Sequence, residues 1–186
     1  LENYGEFISD SSYFTERQGV DKCLLFATIS GCGFLRYAGQ EELLSAGKAA
    51  VIDCSRYQYY GTFGKEPWHF SWIHFKGTGA DSFVRMINRE GLRIINWDAS
   101  RAADLYSQAD ELARTPGKQA DFLISLWLHQ ILNEFAQAVK GAAAVRYEQE
   151  MLAAAEFLRE HLQEPVRMTD LARQSGLSEY HFIRVF

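Results

Sequence analysis

The side chains best suited to bind a small molecule alternate along one stretch of the chain, between residues 68 and 75. Alternate residues of a β-strand point to the same face of the strand. A strand here therefore gathers Trp68, Phe70, Trp72 and His74 on one face. That face is either aromatic core filling or a ligand platform with polar tips such as His74 or Tyr60. The residues alone leave both interpretations open.

The five histidines and three cysteines form no pattern that is typical of a metal or catalytic site. None of the histidines forms His-X-His, and His69 and His74 are an odd number of residues apart, which sends them to opposite faces of a strand. Cys23, Cys32 and Cys54 lack CxxC spacing and are expected to be reduced, buried thiols. We therefore predict no catalytic residue, no metal site and no cofactor.

A second group of residues with binding chemistry lies near the end of the chain. Gly176 can end one short helix in the left-handed conformation, and Ser178 can cap the next helix. On that next helix Tyr180, Ile183 and Arg184 share one face, which a helix-turn-helix would insert into the major groove of DNA. The candidate DNA contacts are Ser178, Glu179, Tyr180, Ile183 and Arg184. The alternative is an ordinary helical hairpin.

Residues 118–139 predict a helix with an apolar seam. Ile124, Leu128, Ile131 and Phe135 follow one another at intervals of four, three and four residues. This spacing approaches the period of about 3.5 residues that is typical of paired helices. We predict that these four residues form a homodimer interface. The alternative is a helix that is internal to a single domain.

The elements that must position these residues change in type along the chain. Residues 1–98 predict short strands at a spacing of roughly ten residues, which is typical of a sandwich or barrel. Residues 99–140 predict helices, and the small neutral residues 141–144 predict a linker or a loosely held helical segment. The predicted fold is α+β with three parts: a β-barrel or jelly roll over 1–98, a helical dimerisation segment over 99–140, and a linker with a helical DNA-binding part over 141–186.

The charge of the chain limits how it could bind DNA. Its 186 residues carry a net charge of −5, which gives no overall attraction for phosphates. Residues 165–186 carry three arginines against two carboxylates, a local charge of +1. Further basic surface must therefore come from elsewhere. Since the chain lacks an initial Met and stops at Phe186, we expect it to be a piece of a longer protein.

No apolar run is long enough to span a membrane, and the chain does not begin with a secretory signal pattern. We therefore expect a cytoplasmic protein without a membrane partner.

The end of the chain closely resembles the first helix-turn-helix of the AraC family of bacterial transcription regulators. The similarity lies in Leu171-Ala172, Gly176-Leu177-Ser178, His181-Phe182, Arg184 and Phe186. The DNA-binding domain of that family contains two such motifs, and this chain contains only the first of them. The resemblance implies that the chain ends inside a DNA-binding domain and that DNA is a partner.

The front of the chain is similar to the cupin-like effector-binding domain of the same family. Residues 67–77 match the last strand of that domain, and Gly47 with residues 50–53 matches one of its turns and the strand that follows. In sugar-responsive members the effector lies inside the barrel against aromatic side chains. The resemblance therefore implies a small-molecule effector, with a sugar as its class.

The resemblance also implies roles for individual residues. Trp72 matches a tryptophan that stacks on the effector, and Tyr60 matches a tyrosine that contacts it. A sugar-binding arginine of the family falls near Ser30, and Phe70 stands where the family has a ligand-contacting histidine. With His74, these residues make up the predicted ligand site.

The predicted function is that of a homodimeric, effector-responsive transcription regulator without enzymatic activity. Two alternatives remain open. One is a cupin-type metalloenzyme, and the other is a dimerisation module that does not bind DNA.

Overall fold

The computed structural model describes residues 1–77, 79–161 and 165–185, which fall into two compact units, Leu1–Ala138 and Val139–Phe186. Nine strands form within the described residues: β1 (Asn3–Ser9), β2 (Phe14–Arg17), β3 (Cys23–Ser30), β4 (Cys32–Tyr37), β5 (Gln40–Ser45), β6 (Lys48–Asp53), β7 (Gln58–Thr62), β8 (Trp68–Phe75) and β9 (Ile94–Asn96). The same residues form five helices: α1 (Ala80–Ile87), α2 (Ala99–Arg114), α3 (Lys118–Glu160), α4 (Met168–Gln174) and α5 (Glu179–Val185).

Two antiparallel sheets make up the first part of the chain. One has the strand order β1-β8-β3-β6-β9, and the other has the order β2-β7-β4-β5. Apolar side chains of both sheets meet in one core, with Phe26 and Ile52 from the first sheet and Leu35 and Leu44 from the second. This arrangement is a cupin-like jelly roll followed by helices, so the predicted α+β fold class is confirmed.

The sequence pattern does not predict the two N-terminal strands. β1 pairs with β8 along its whole length, from Asn3 opposite His74 to Ser9 opposite Trp68. β2 pairs with β7, which places Phe14 opposite Gly61. Both strands are short of the β-branched residues that favour strands, so their formation depends on pairing with β8 and β7.

Trp68 fills one end of the space between the sheets. A Cβ atom on Gly33 would lie 2.4 Å from the Trp68 indole, so β4 and β8 approach closely there only because Gly33 has no side chain. The indole stacks on Phe70 with 3.8 Å between ring centroids, and its Nε1–H donates to Thr28 Oγ1 at 3.1 Å. The core is therefore solid at this end.

Helix α2 packs against β1, β3 and β8 of the first sheet. Its apolar residues Ala102, Leu105 and Ala109 are buried at helical spacing. The helix begins at the Asp98 carboxylate, which accepts a hydrogen bond from the backbone N–H of Arg101 at 2.8 Å. The helix thereby covers the side of that sheet that faces away from the second sheet.

Helix α3 runs without interruption through residues 141–144, which is the helical one of the two alternatives that the sequence leaves open for this segment. A single glycine lowers helix stability by only about 1 kcal/mol relative to alanine, and the alanines that follow Gly141 are the best helix formers. Although α3 has 43 residues, no helix among the described residues is long and apolar enough to cross a membrane.

Helices α4 and α5 are joined by the glycine turn that the sequence predicts. Gly176 has a φ of 67°, and its N–H donates to the Arg173 carbonyl while the Leu177 N–H donates to the Ala172 carbonyl. This is the Schellman arrangement, which ends a helix with a left-handed residue. Leu171, Ala172 and Phe182 pack with Ala154 of α3 in a small core.

Gly141 provides a test of the continuous helix, because its missing side chain would point into open space. We expect Gly141→Ala to raise the helical circular dichroism signal and the free energy of unfolding by about 1 kcal/mol. Gly141→Pro should lower the stability of the helix by about 3 kcal/mol. If both variants unfold like the parent chain in urea, residues 141–144 behave as a linker.

Candidate functional site

A cavity of about 240 Å³ lies between the two sheets. The residues lining it are mostly aromatic: Phe7, Tyr13, Arg17, Leu24, Phe26, Tyr60, Phe70, Trp72 and His74. Its rings are closely spaced, with 4.7 Å between the centroids of Phe26 and Tyr60 and 5.1 Å between those of Phe7 and Tyr13. Ring faces and edges rather than polar groups thus form most of its wall.

The structure brings four of the five predicted ligand contacts together in this cavity. Tyr60 from β7 joins Phe70, Trp72 and His74, which share one face of β8 as the alternation of a strand requires. His69 lies on the other face of β8, where its Nε2 is 2.7 Å from the Glu6 carboxylate. That these four side chains bind a ligand stays a prediction.

The placement of Ser30 in the ligand site is wrong. Ser30 is exposed at the end of β3 and pairs with His69, so it lies on the face of the sheet that turns away from the cavity. The β3 register shifts between Thr28 and Ser30, and the stacked rings of Trp68 and Phe70 fill the interior at that level. No side chain at position 30 could reach the cavity through those rings.

Arg17, which the sequence analysis did not select, is the cationic residue that lines the cavity. It lies on β2 opposite Gln58, and two residues away Thr15 lies opposite Tyr60, so Arg17 and Tyr60 share the inner face of their sheet. Sequence reasoning missed Arg17 because it predicted no strand over residues 14–17. The alternation of Thr15 and Arg17 around Glu16 was the available signal.

Four further lining residues were also missed. Phe7 and Tyr13 come from the unpredicted N-terminal strand and the loop after it, while Leu24 and Phe26 belong to the predicted strand β3. Phe7 packs edge-on against Phe70 at 6.0 Å between centroids. The N-terminal residues thus complete a wall of which β8 provides only one side.

The indole of Trp72 packs directly over Gly5, a residue without a side chain on the neighbouring strand β1. Gly5 of β1 lies directly opposite Trp72, and a Cβ atom on Gly5 would be 2.9 Å from the indole. The indole is half-buried and meets the His74 ring at 5.1 Å between centroids. One part of the ring therefore packs on backbone, while another part borders the cavity.

The cavity disfavours a positive charge on its histidine. Burial, together with the positive charges of Lys22 and Arg17, lowers the pKa of His74 from 6.5 to about 4. Burial also raises the pKa of Tyr60 to about 12. At neutral pH the cavity therefore contains the neutral imidazole of His74 and the neutral phenol of Tyr60, beside the guanidinium of Arg17. Among the described residues, no three His, Cys, Asp or Glu side chains are grouped to hold a metal ion.

The predicted dimer seam packs inside the first unit instead of facing outward. Ile131 and Phe135 are 1% and 0% exposed, and Phe135 meets the Trp97 ring at 5.4 Å between centroids. Leu128 is also buried, and half-buried Ile124 lines a hollow beside α1 together with it. The spacing correctly marks an apolar stripe, but the same chain covers most of it.

Two of the predicted DNA contacts, Tyr180 and Ile183, lie on one exposed face of α5. Tyr180 and Ile183 are 78% and 62% exposed, whereas Phe182 between them is fully buried. Ser178 and Glu179 are exposed at the start of the helix. The side chain of Arg184 lies outside the described part of the structure. The face is therefore available, and its binding to DNA stays a prediction.

Comparison with known proteins identifies related folds but no family. No protein-family model matches the chain, and no curated protein matches it. Among solved structures, ToxT from Vibrio cholerae O395 is 12% identical with a TM-score of 0.45, over 98% of this chain and 72% of that one.

The AraC-like transcriptional activator CuxR is 11% identical with a TM-score of 0.48, over 93% of this chain and 66% of that one. A Cupin_2 domain of an XRE family transcriptional regulator from Enterobacter cloacae is 14% identical with a TM-score of 0.37, over 40% of this chain and 80% of that one. At these identities the similarity is one of fold.

The low pKa of His74 predicts a stability that depends on pH. Between about pH 6.5 and pH 4 the unfolded chain binds a proton at this histidine that the folded chain does not bind. The free energy of unfolding should therefore fall as the pH is lowered through this window, by up to about 3 kcal/mol.

Urea unfolding of the parent chain and of His74→Gln at several pH values checks this prediction. The slope between pH 6.5 and pH 4 should become shallower in His74→Gln. His129→Gln, at an exposed histidine of α3, is the matched control and should keep the parent slope. Equal slopes in all three proteins would show that His74 is not protected from protonation.

Proposed function

We propose that this chain is part of an effector-responsive transcription regulator, in which a small molecule binds the cavity and the helix-turn-helix binds DNA. The observation that carries the proposal is the presence of both features in one chain. An aromatic cavity lies in the first unit, and a bihelical motif with an exposed recognition face lies in the second. The resemblance of residues 166–186 to AraC regulators supports the same function.

The cavity has the size and lining of a small-molecule site. Its volume of about 240 Å³ suits a single ring with substituents. Trp72, beside the exposed mouth residues Phe7 and Arg17, offers a flat apolar surface on which a ring can stack. The resemblance implies a sugar as the effector class, and sugar rings also present flat C–H faces to aromatic side chains.

The second unit presents the type of face that reads base pairs. Tyr180 and Ile183 project from α5 on the side opposite the buried Phe182, so an apolar contact with thymine methyl groups is available. The low local charge implies weak phosphate binding by this motif alone. Two motifs held together in a dimer would bind two half-sites at a high effective concentration.

A selection from random duplexes tests whether the exposed face of α5 reads DNA. The whole chain, immobilised at low salt, should enrich a recurrent sequence after several rounds. The double variant Tyr180→Ala/Ile183→Ala should lose this enrichment while keeping its unfolding midpoint, because both residues are exposed. Phe63→Ala, at an exposed phenylalanine after β7, is the control. Enrichment of the same sequence by the double variant would contradict the assignment.

Homodimerisation is part of the proposal, but through a different face of α3 from the predicted seam. Phe122 and Leu126 are 70% and 49% exposed and lie four residues apart, so they form one apolar strip on the helix surface. Such a strip is a more suitable contact for a second copy than the buried Ile131 and Phe135.

Sedimentation velocity separates the two faces of α3. Leu126→Asp should give a monomer with an unchanged unfolding midpoint. Leu128→Asp should instead destabilise the first unit by several kcal/mol, because it places a charge at a buried position. Leu43→Asp, at an exposed leucine of β5, should leave both properties unchanged. A parent chain that sediments as a monomer at high concentration would remove dimerisation from the proposal.

A further inference from the structure

The cavity has few polar groups, and only one of them is charged. They are the Arg17 guanidinium, the phenols of Tyr13 and Tyr60, and the His74 imidazole. No carboxylate and no side-chain amide is among the described residues that line the cavity. Arg17 carries several N–H donors and no acceptor. The cavity therefore offers a strong, charged set of donors and only weak, neutral acceptors.

Arg17 is the charged residue among those that line the cavity. Among the described residues it forms no ion pair, whereas Arg36 on the same sheet pairs with Glu41. Its positive charge also reaches deeper groups of the cavity, since it contributes to the low pKa of His74 and opposes the rise in the pKa of Tyr60. A ligand in this cavity would thus meet a positive charge, with no carboxylate among the described residues that line the cavity.

The donor and acceptor groups of a ligand decide which molecules suit such a cavity. A neutral sugar brings several hydroxyl donors, and each donor that is buried without an acceptor costs about 1–3 kcal/mol. The cavity can offer only two phenol oxygens and one imidazole nitrogen as acceptors. A carboxylate instead brings two acceptor oxygens, which match the paired N–H groups of a guanidinium.

We infer that the effector is a ring-shaped carboxylic acid, whose carboxylate binds Arg17 and whose ring packs against Trp72 and Phe70. This inference rests on the proposed function, because it names the class of effector for the same cavity. Two sources share this chemistry, a sugar acid and an aromatic acid. Both place an anion at the mouth of the cavity and a flat apolar surface against its rings.

Matched pairs of ligands that differ in the carboxylate test this inference on the whole chain. Galacturonate is compared with galactose, and benzoate with benzyl alcohol, by isothermal calorimetry and by tryptophan fluorescence. We expect at least one acid to bind at least about tenfold more tightly than its neutral partner, because a hydrogen bond to a charged group is stronger than a neutral one. Whichever pair shows this difference identifies the source as sugar acid or aromatic acid.

Three arginine variants assign the difference to Arg17. Arg17→Gln should weaken binding of the acid by about 10- to 100-fold and leave the neutral partner unaffected. Arg17→Lys should recover part of the affinity, since it restores the charge without the paired donors. Arg36→Gln removes a charge from the exposed side of the same sheet and should leave both affinities unchanged.

The possible results separate this inference from the proposed function. If galactose binds more tightly than galacturonate and Arg17→Gln does not change either affinity, the effector has no carboxylate at Arg17 and the inference is overturned. The cavity would still be an effector site. Failure of both acids to bind would also overturn the inference, whatever the neutral ligands do. The DNA selection has a separate readout: the proposed function would be overturned if the parent chain enriched no sequence, or if Tyr180→Ala/Ile183→Ala enriched the same sequence as the parent.

Discussion

The contact between Trp68 and Gly33 determines which end of the jelly-roll interior is filled with side chains and which end contains the cavity. The indole occupies the space that a side chain at position 33 would need, and it stacks on Phe70 and hydrogen-bonds to Thr28. Interiors are packed to nearly crystalline density, so a large ring at one end fixes how closely the sheets can approach. The cavity lies beyond Phe70, where Trp72 instead leans over Gly5.

The same packing explains the electrostatic character of the cavity. An interior lined by aromatic rings solvates charge poorly. The pKa of His74 is therefore lowered and the pKa of Tyr60 is raised, so both side chains are neutral. Arg17 escapes this penalty because it is exposed to solvent at the mouth. A chain with a net charge of −5 thus presents a local positive site at the mouth of this cavity.

Local patterns predicted local features, and pairing between distant strands decided the rest. The alternation along β8 correctly grouped Phe70, Trp72 and His74, because the period of a strand is a property of the backbone. Which of Arg17 and Ser30 reaches the cavity depends instead on the register of β2 with β7 and on the shift in β3. Likewise, helical spacing marks Phe135 as apolar without showing which surface covers it.

A regulator of the proposed kind needs an element that contributes to both of its units. Helix α3 has buried residues in each of them. Its residues Ile131 and Phe135 are buried in the first unit, and Ala154 is buried in the core of the second. An effector can shift an equilibrium only by its difference in affinity for the two states, typically 1–3 kcal/mol.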